Sequence, residues 1–405
     1  MDIIIGKKKL ILFSMVLLVV LLQENFIYMT KLNTSFLLSI TGLLIFLFKF
    51  GDIVKKPYTF KFLIISLMIV EFYGIMIGCI YYSQSFYEGI YGTHYIFMYG
   101  WYFAFVDAMR SNVNKKYAFY VKEILVFIGT FITVLLMIQG ILYSKIVFLD
   151  LTYSMRNGLR IMGSYILSQV LTFIYVDIIY KFSFQKLIIA FLMTYYVIVY
   201  NQSRGTIMIF VICIVLIIMK RIISEKNILK ITTMFLVILV GVILIIQTGF
   251  IQKIIQNIFF EVNENTGNVG VRLDAIKYYW DILLDHWLLG IGILGDKFEL
   301  KELIYGTTQY YYYMEDIGTL AFLFKTGIVG LIWIILFYKK LFSIYLKNKR
   351  IYVGFLILFF IIKNLVGITY INSFDNKYGL IYFIIMLAIC EMPYFKKINE
   401  VRNED

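Results

Sequence analysis

Residues 186–220 read KLIIAFLMTYYVIVYNQSRGTIMIFVICIVLIIMK: two apolar runs, 186 to 200 and 205 to 219, broken only by Asn201-Gln202-Ser203-Arg204 and bounded by lysines. A hydrocarbon core about 30 Å thick takes about 20 apolar residues per helix. Two such runs back to back are therefore read as a chain that crosses a bilayer and returns, with one of them short enough to be re-entrant. Working outward, comparable runs lie at 10 to 29, 34 to 50, 60 to 82, 90 to 109, 121 to 143 and 160 to 180. Further runs follow at 231 to 250, 318 to 338, 351 to 371 and 378 to 394. The chain is thus expected to be all-α, a polytopic membrane protein of about twelve transmembrane helices forming a single integral membrane domain over residues 1–405.

Composition agrees. Hydrophobic residues make up 61% of the 405 and charged residues 16%, against roughly 45–50% apolar in a soluble domain. Two prolines and 27 glycines without a period exclude collagen-like and low-complexity readings. Cys79, Cys213 and Cys390 all fall inside apolar runs, where cysteine behaves as a small hydrophobe. With His94 and His286 the only histidines, neither a disulfide framework nor a His/Cys metal site is expected. Lys7-Lys8-Lys9 before Leu10–Leu22 resembles a signal peptide, but Gln23-Glu24-Asn25-Phe26 offers no small-residue cleavage site, so the segment is read as a retained first helix.

Orientation follows from the basic residues, which concentrate in cytoplasmic loops. With a cytoplasmic N-terminus, the inside segments hold Lys7–Lys9, then Lys49, Lys55, Lys56 and Lys61, then Arg110, Lys115, Lys116 and Lys122. Lys181 and Lys186 come next, then the groups around Lys220–Lys230, Lys339–Arg350 and Lys396–Arg402, for 25 of the 38 basic residues. Both termini are then cytoplasmic. A net charge of +13 parcelled between helices is a topology device rather than a nucleic-acid footprint.

The longest polar stretch, 251–317, falls outside, between the ninth and tenth spans. Within it, Arg272–Leu289 reads as an amphipathic helix: Ala275, Ile276, Tyr279, Trp280, Leu283, Leu284, Trp287 and Leu288 recur at helical spacing, with Arg272, Lys277, Asp281 and Asp285 largely opposite. Such a helix either lies in the headgroup plane or packs as a lid on the bundle. Tyr310–Tyr313 fit an interface belt or a platform for sugar rings, and Glu315-Asp316 follow them. Arg156, Arg160, Arg204 and Arg272 lie outside, against the charge bias. Arginine grips phosphate with two parallel charge-assisted bonds, so these suit an anionic lipid ligand, headgroup anchoring or ion pairing. Arg204 sits on a very short outer turn, where a charge beside the apolar phase needs a partner. Glu71 and Lys363 fall within spans. They pair with each other, Lys363 snorkels outward, or they serve proton coupling in a transporter.

Three patterns carry a family resemblance. Ser203-Arg204-Gly205 resembles the S-R-G/A element of Wzy-type bacterial polysaccharide polymerases and the related O-antigen ligases. Arg272 through Trp280 to His286-Trp287-Leu288-Leu289-Gly290-Ile291-Gly292-Ile293-Leu294-Gly295 is similar to that family's external helix and its "P-L-x-G-x-G" finish, with His286-Trp287 where proline is common. Asp316-Ile317-Gly318 with Gly327-Ile328-Val329-Gly330 resembles a polar residue opening a span followed by "G-I-x-G". The resemblance covers about 195 to 340 and the hydropathy profile of the whole chain.

It implies a glycosyltransferase-C-like (GT-C-like) bundle in the bacterial cytoplasmic membrane that polymerises lipid-linked repeat units for O-antigen, capsule or exopolysaccharide on the outer face. Glycan would move from undecaprenyl diphosphate to the end of another lipid-linked unit, without metal or cofactor. Membrane lipids, a chain-length regulator and a flippase are implied partners. Arg204 and Arg272 are the expected cations for the leaving diphosphate. Arg156, Arg160, Ser203, Tyr311 and Tyr313 are expected substrate contacts. Asp316, Glu315 or His286 would be the base for the attacking hydroxyl. Family ligases carry a histidine where this chain has Glu315-Asp316, which favours a polymerase over a ligase. A flippase is the competing reading, but the two halves of the chain do not repeat.

Overall fold

The computed structural model describes residues 2–24, 34–110, 116–149, 151–155, 159–162, 164–224, 267–306 and 313–402. The expected ninth span at 231–250, the first part of the 251–317 loop, Arg156 and Tyr311 lie outside these.

The described chain is mostly helical and is that of a polytopic membrane protein. In order come α1 (Asp2–Glu24), α2 (Thr34–Phe48), α3 (Phe50–Lys55), α4 (Lys61–Tyr82), α5 (Phe86–Gly92), α6 (Gly100–Arg110) and α7 (Lys116–Leu142). A hairpin of β1 (Thr152–Met155) and β2 (Leu159–Met162) leads to α8 (Ile166–Tyr180), α9 (Phe184–Tyr196) and α10 (Arg204–Ser224). Then follow α11 (Gly267–His286), α12 (Lys301–Tyr305), α13 (Thr319–Asn348), α14 (Tyr352–Val366) and α15 (Leu380–Arg402). Among the described residues, five segments are long and apolar enough to cross a bilayer: 61–82, 117–142, 184–201, 205–223 and 319–348. Four shorter apolar helices, 34–48, 166–180, 352–366 and 380–391, stand among them.

Two expected spans are altered. The run at 90–109 is not one helix: after α5 it passes through a 3₁₀ turn, His94–Tyr99, before α6. The 11 residues of α6 rise only about 16 Å. α5 starts on its own signal, a capping box in which Ser85 and Glu88 satisfy each other's backbone amides. The run at 160–180 begins as β2, and its helix starts at Ile166.

α4, at 22 residues, is about 33 Å long and separates two ends of different character. At one end charges are paired between helices: Lys49 with Asp107, Arg110 Nη2 with Glu391 Oε1 at 2.7 Å, and Lys122 Nζ with Asp177 at 2.8 Å. Charges this close to the apolar phase persist only when partnered. At the other end lie Tyr82, the hairpin, the start of α10, the end of α14 and residues 313–318.

That second end is organised by a break in α13. Gly327 has φ 58° and ψ −142°, a region open only to glycine. The backbone groups freed there are taken up by a buried thread, Gly290–Gly295. Ile291 N donates to Phe324 O at 2.8 Å, Gly292 N to Lys325 O at 3.0 Å, and Ile328 N to Trp287 O at 3.1 Å. On its far side Ile293 N donates to Gly74 O of α4 at 2.8 Å, and Gln84 bridges Ile293 O and Gly295 N. A Cβ on Gly327 would lie 2.5 Å from Gly290 N. The glycine-rich finish of the second pattern and the "G-I-x-G" of the third are thus the two halves of one backbone joint.

Candidate functional site

Two cavities open at this end of the bundle and share a wall formed by Tyr165, Asp316, Asn372 and Asn376.

The first chamber, about 240 Å³, carries the carboxylates Asp296, Glu315, Asp316 and Asp375, the lysines Lys301, Lys325 and Lys377, and tyrosines including Tyr95, Tyr305, Tyr313 and Tyr378. Its floor is a buried network. Lys325, two residues before the break in α13, brings Nζ to 3.4 Å from Asp375 Oδ2, and Tyr95 Oη donates to Asp375 Oδ1 at 2.5 Å. Glu71 of α4, 1% exposed, adjoins both Asp375 and Lys325. The expected pairing of Glu71 with Lys363 is therefore replaced: Glu71 belongs to this floor, and Lys363 lines the other chamber. At the mouth, burial works to raise the Asp296 carboxyl, but the hydrogen bond from Lys301 and the charges of Lys301 and Lys377 hold it below the usual carboxylate value.

The second chamber, about 450 Å³, is lined by Ser203, Thr206, Asn201, Lys363, Tyr370 and Asn372 on its polar side and by Leu167, Leu171, Val197 and Phe383 on its apolar side. Tyr370 links it to α11. Its hydroxyl meets Ser203 Oγ at 2.5 Å and lies 3.3 Å from Thr206 Oγ1, while the Arg272 guanidinium stacks 4.8 Å from its ring centre. Arg272 Nε also donates to the Asp316 carbonyl at 3.1 Å. Gly318, at φ 57°, permits the approach of this turn to the backbone at Tyr370: a Cβ there would lie 2.7 Å from Tyr370 N. Thr319 fastens the contact, its N donating to Ile368 O at 2.9 Å and its Oγ1 to Ile371 O at 2.8 Å.

Asp316 itself is exposed to the cleft. Burial by the surrounding walls raises its carboxyl above the usual value, Arg272 opposes the rise, and Glu315 adds to it. Glu315 Oε2 accepts from Tyr313 Oη at 3.0 Å. Arg160, on β2, is set at the rim of the second chamber, its Nε donating to Asn201 O at 3.1 Å.

Of the residues singled out by sequence, the fold therefore gathers Ser203, Arg272, Glu315, Asp316, Tyr313 and Arg160 around one divided cleft. Arg204 opens α10 beside Ser203, and its side chain lies outside the described residues. His286 is not brought to the cleft: it lies 14 residues along α11 from Arg272, roughly 21 Å of helix, with its ring 4.8 Å from that of Tyr81. His94 faces α2, its Nδ1 at 2.6 Å from Tyr91 O and its Nε2 at 3.4 Å from Ser35 Oγ.

The single apolar face expected for α11 divides. Ala275 and Tyr279 turn inward and are fully buried, whereas Trp280, Leu284, Trp287 and Leu288 are half or more exposed. Sequence reading missed Lys325, Tyr370, Asp375 and Lys377. A lysine inside the apolar run 318–338 was one signal, and the polar octet Ile371-Asn372-Ser373-Phe374-Asp375-Asn376-Lys377-Tyr378 between two spans was another.

A helical membrane bundle with a charged, tyrosine-walled cleft at one end is a design for handling a polar substrate beside a lipid phase. Residues 188–335 match the family model described as O-antigen ligase, which relates the chain to the Wzy/O-antigen ligase family and, as a class, to membrane enzymes of glycan transfer. No curated protein matches it. The matched segment supplies Ser203, Arg272, Asp316 and Lys325. Arg160, Lys363, Tyr370 and Asp375 come from outside it.

Proposed function

We propose that the protein polymerises polysaccharide repeat units, transferring glycan from undecaprenyl diphosphate to the end of a second lipid-linked unit. The observation that carries this reading is the position of Asp316, on the wall common to both chambers and backed by Arg272. A transfer between two bulky substrates needs a base at the boundary between them, within reach of the attacking hydroxyl and near the departing phosphate.

In this scheme the acceptor sugar hydroxyl gives its proton to the Asp316 carboxylate as its oxygen attacks the donor's anomeric carbon. The bond from that carbon to the phosphate oxygen breaks, and the electron pair leaves with the diphosphate. Arg272, Arg204 and the Ser203 hydroxyl stabilise the charge that develops there. Of the three expected bases Asp316 is retained, and His286 is set aside because it is remote from the cleft. The lysine-rich loops 49–61 and 347–350 lie at the opposite end of the bundle, so the positive-inside bias supports a cleft facing the outer side of the cytoplasmic membrane, with both termini inside.

The test is the polysaccharide ladder in cells lacking the gene and complemented with wild type, Asp316→Asn or Arg272→Ala, each checked for membrane expression. Single lipid-linked repeats accumulating on the outer face, unrescued by either variant, support the proposal. Units trapped on the inner face would mean a flippase, and full rescue by both variants would remove this mechanism.

A further inference from the structure

Lys363 lies in the last turn of α14 and is 3% exposed. An ammonium has three N–H donors, yet among the described residues Nζ reaches only the Ser168 carbonyl, at 3.5 Å. That carbonyl already accepts from Thr172 Oγ1 at 2.9 Å. The nearest ring is Phe210, 5.5 Å away, and no carboxylate among the described residues pairs with Lys363. The end of α14 offers it only the partial negative charge of a helix C-terminus. A buried cation so poorly compensated is costly, and it lines the second chamber.

α10, a 21-residue helix, packs against α14 and brings its N-terminal end to the same chamber through Ser203 and Thr206, where the free amides of a helix start favour an anion. The hydroxyls of Ser203, Thr206 and Tyr370 line the same space. The contrast with the first chamber is one of charge. There four carboxylates face three lysines, whereas here, among the described lining residues, Lys363 stands against a single carboxylate, Asp316 on the shared wall. An anion is therefore disfavoured less in the second chamber than in the first. Apolar Leu167, Leu171 and Phe383 beside the polar groups suit a phosphate that carries a hydrocarbon chain rather than a free one.

We infer that the second chamber is the phosphate site of the lipid-linked donor and that Lys363 is its buried counter-ion, leaving the tyrosine-walled first chamber for the acceptor glycan. This deepens the proposed function and rests on it for the identity of the lipid. Lys363, outside the family-matched segment, then becomes a binding residue alongside the arginines.

The experiment is binding of undecaprenyl phosphate to the full-length protein in nanodiscs, compared among wild type, Lys363→Met, Lys363→Arg and Lys349→Met. Loss of one charge-assisted contact to phosphate predicts about tenfold or greater weakening for Lys363→Met. Lys363→Arg should largely retain binding, and Lys349→Met, at an exposed position outside both chambers, should bind as wild type. Lys363→Met should also unfold at the same or a higher temperature, because it removes an uncompensated buried charge. A lysine with a purely structural role would lower it.

Equal binding by wild type and Lys363→Met would overturn the assignment of Lys363 and leave the glycan-transfer reading standing. No binding by wild type would overturn both. Displacement by inorganic pyrophosphate supports a phosphoryl site, whereas equal displacement by phosphatidylglycerol would make this an ordinary headgroup site and refute the donor assignment.

Discussion

Arg272 stacks 4.8 Å from the centre of the Tyr370 ring, on the same tyrosine whose hydroxyl meets Ser203 Oγ at 2.5 Å. One side chain thus ties α11 to the Ser203-Arg204-Gly205 turn. Tyr370→Phe removes the hydroxyl bridge and keeps the stacking, so glycan transfer should fall by about fivefold. Tyr370→Ala removes the cation–π contact as well and should lower transfer by about fiftyfold. Turnover in reconstituted membranes distinguishes the two. Equal activity in both would show that Tyr370 only fills space.

In the proposed mechanism Asp316 works as the carboxylate, and burial raises its pKa, so activity should decline as pH falls through a value above the ordinary carboxylate range. Arg272 opposes that rise. Arg272→Ala should therefore move the acid limb to still higher pH, and Arg272→Lys should largely restore it. Asp316→Asn should lower transfer by about a hundredfold or more. Because a raised carboxyl costs stability once pH exceeds its unfolded pKa, and the whole cost applies above the folded pKa, the same variant should not lower the unfolding temperature at neutral pH. A pH–rate profile and a thermal scan check the pair.

The joint at Gly327 gives a stability prediction. Gly327→Ala forces φ 58° on a residue with a Cβ and drives that carbon into the backbone of Leu288–Gly290. A loss on the order of 3 kcal/mol is expected, visible as reduced membrane expression and a lower unfolding temperature in detergent. Unchanged stability would mean that the thread does not grip the break.

Lys325 and Asp375 form a buried pair, so removing one charge strands the other. Lys325→Met should destabilise by about 3–5 kcal/mol, and adding Asp375→Asn should recover much of the loss. A double-mutant cycle measures the coupling, and simple additivity would exclude the pair.

Trp280 and Trp287 point away from the bundle, at 53% and 58% exposed. If that outward face of α11 meets the headgroup region, tryptophan fluorescence should be quenched by lipids brominated near the carbonyl and lose that component in Trp280→Phe/Trp287→Phe. Quenching by aqueous iodide alone would mean that the face looks into water.

Hydrophobic run length made the helical membrane bundle legible, because it reflects a constraint the bilayer imposes on every span. It misjudged 90–109 and 160–180, where the runs are apolar but the chain turns. Asn157-Gly158 between alternating residues is a hairpin signal that a search for spans passes over. Ser203, Arg272 and Asp316 were readable because charge or a short turn beside apolar sequence is expensive and draws notice. Tyr370 was not, since a tyrosine at a helix end ordinarily belongs to an interface belt. The Lys325–Asp375 pair joins residues 50 apart, and only tertiary structure supplies such a partner. The same holds for Glu71, whose obvious sequence partner, Lys363, lies in a different chamber.

The thread at Gly290–Gly295 bears on how the protein is made. Its amide at Ile293 bonds to a carbonyl 219 positions earlier, at Gly74, and its neighbours bond to a helix that emerges later still. α4 therefore enters the membrane long before the segment that seats against it has been synthesised. The cleft is a product of late assembly: a ribosome must pass Ile328 before the joint can close in full, and a chain truncated ahead of α13 would insert as helices without forming the site.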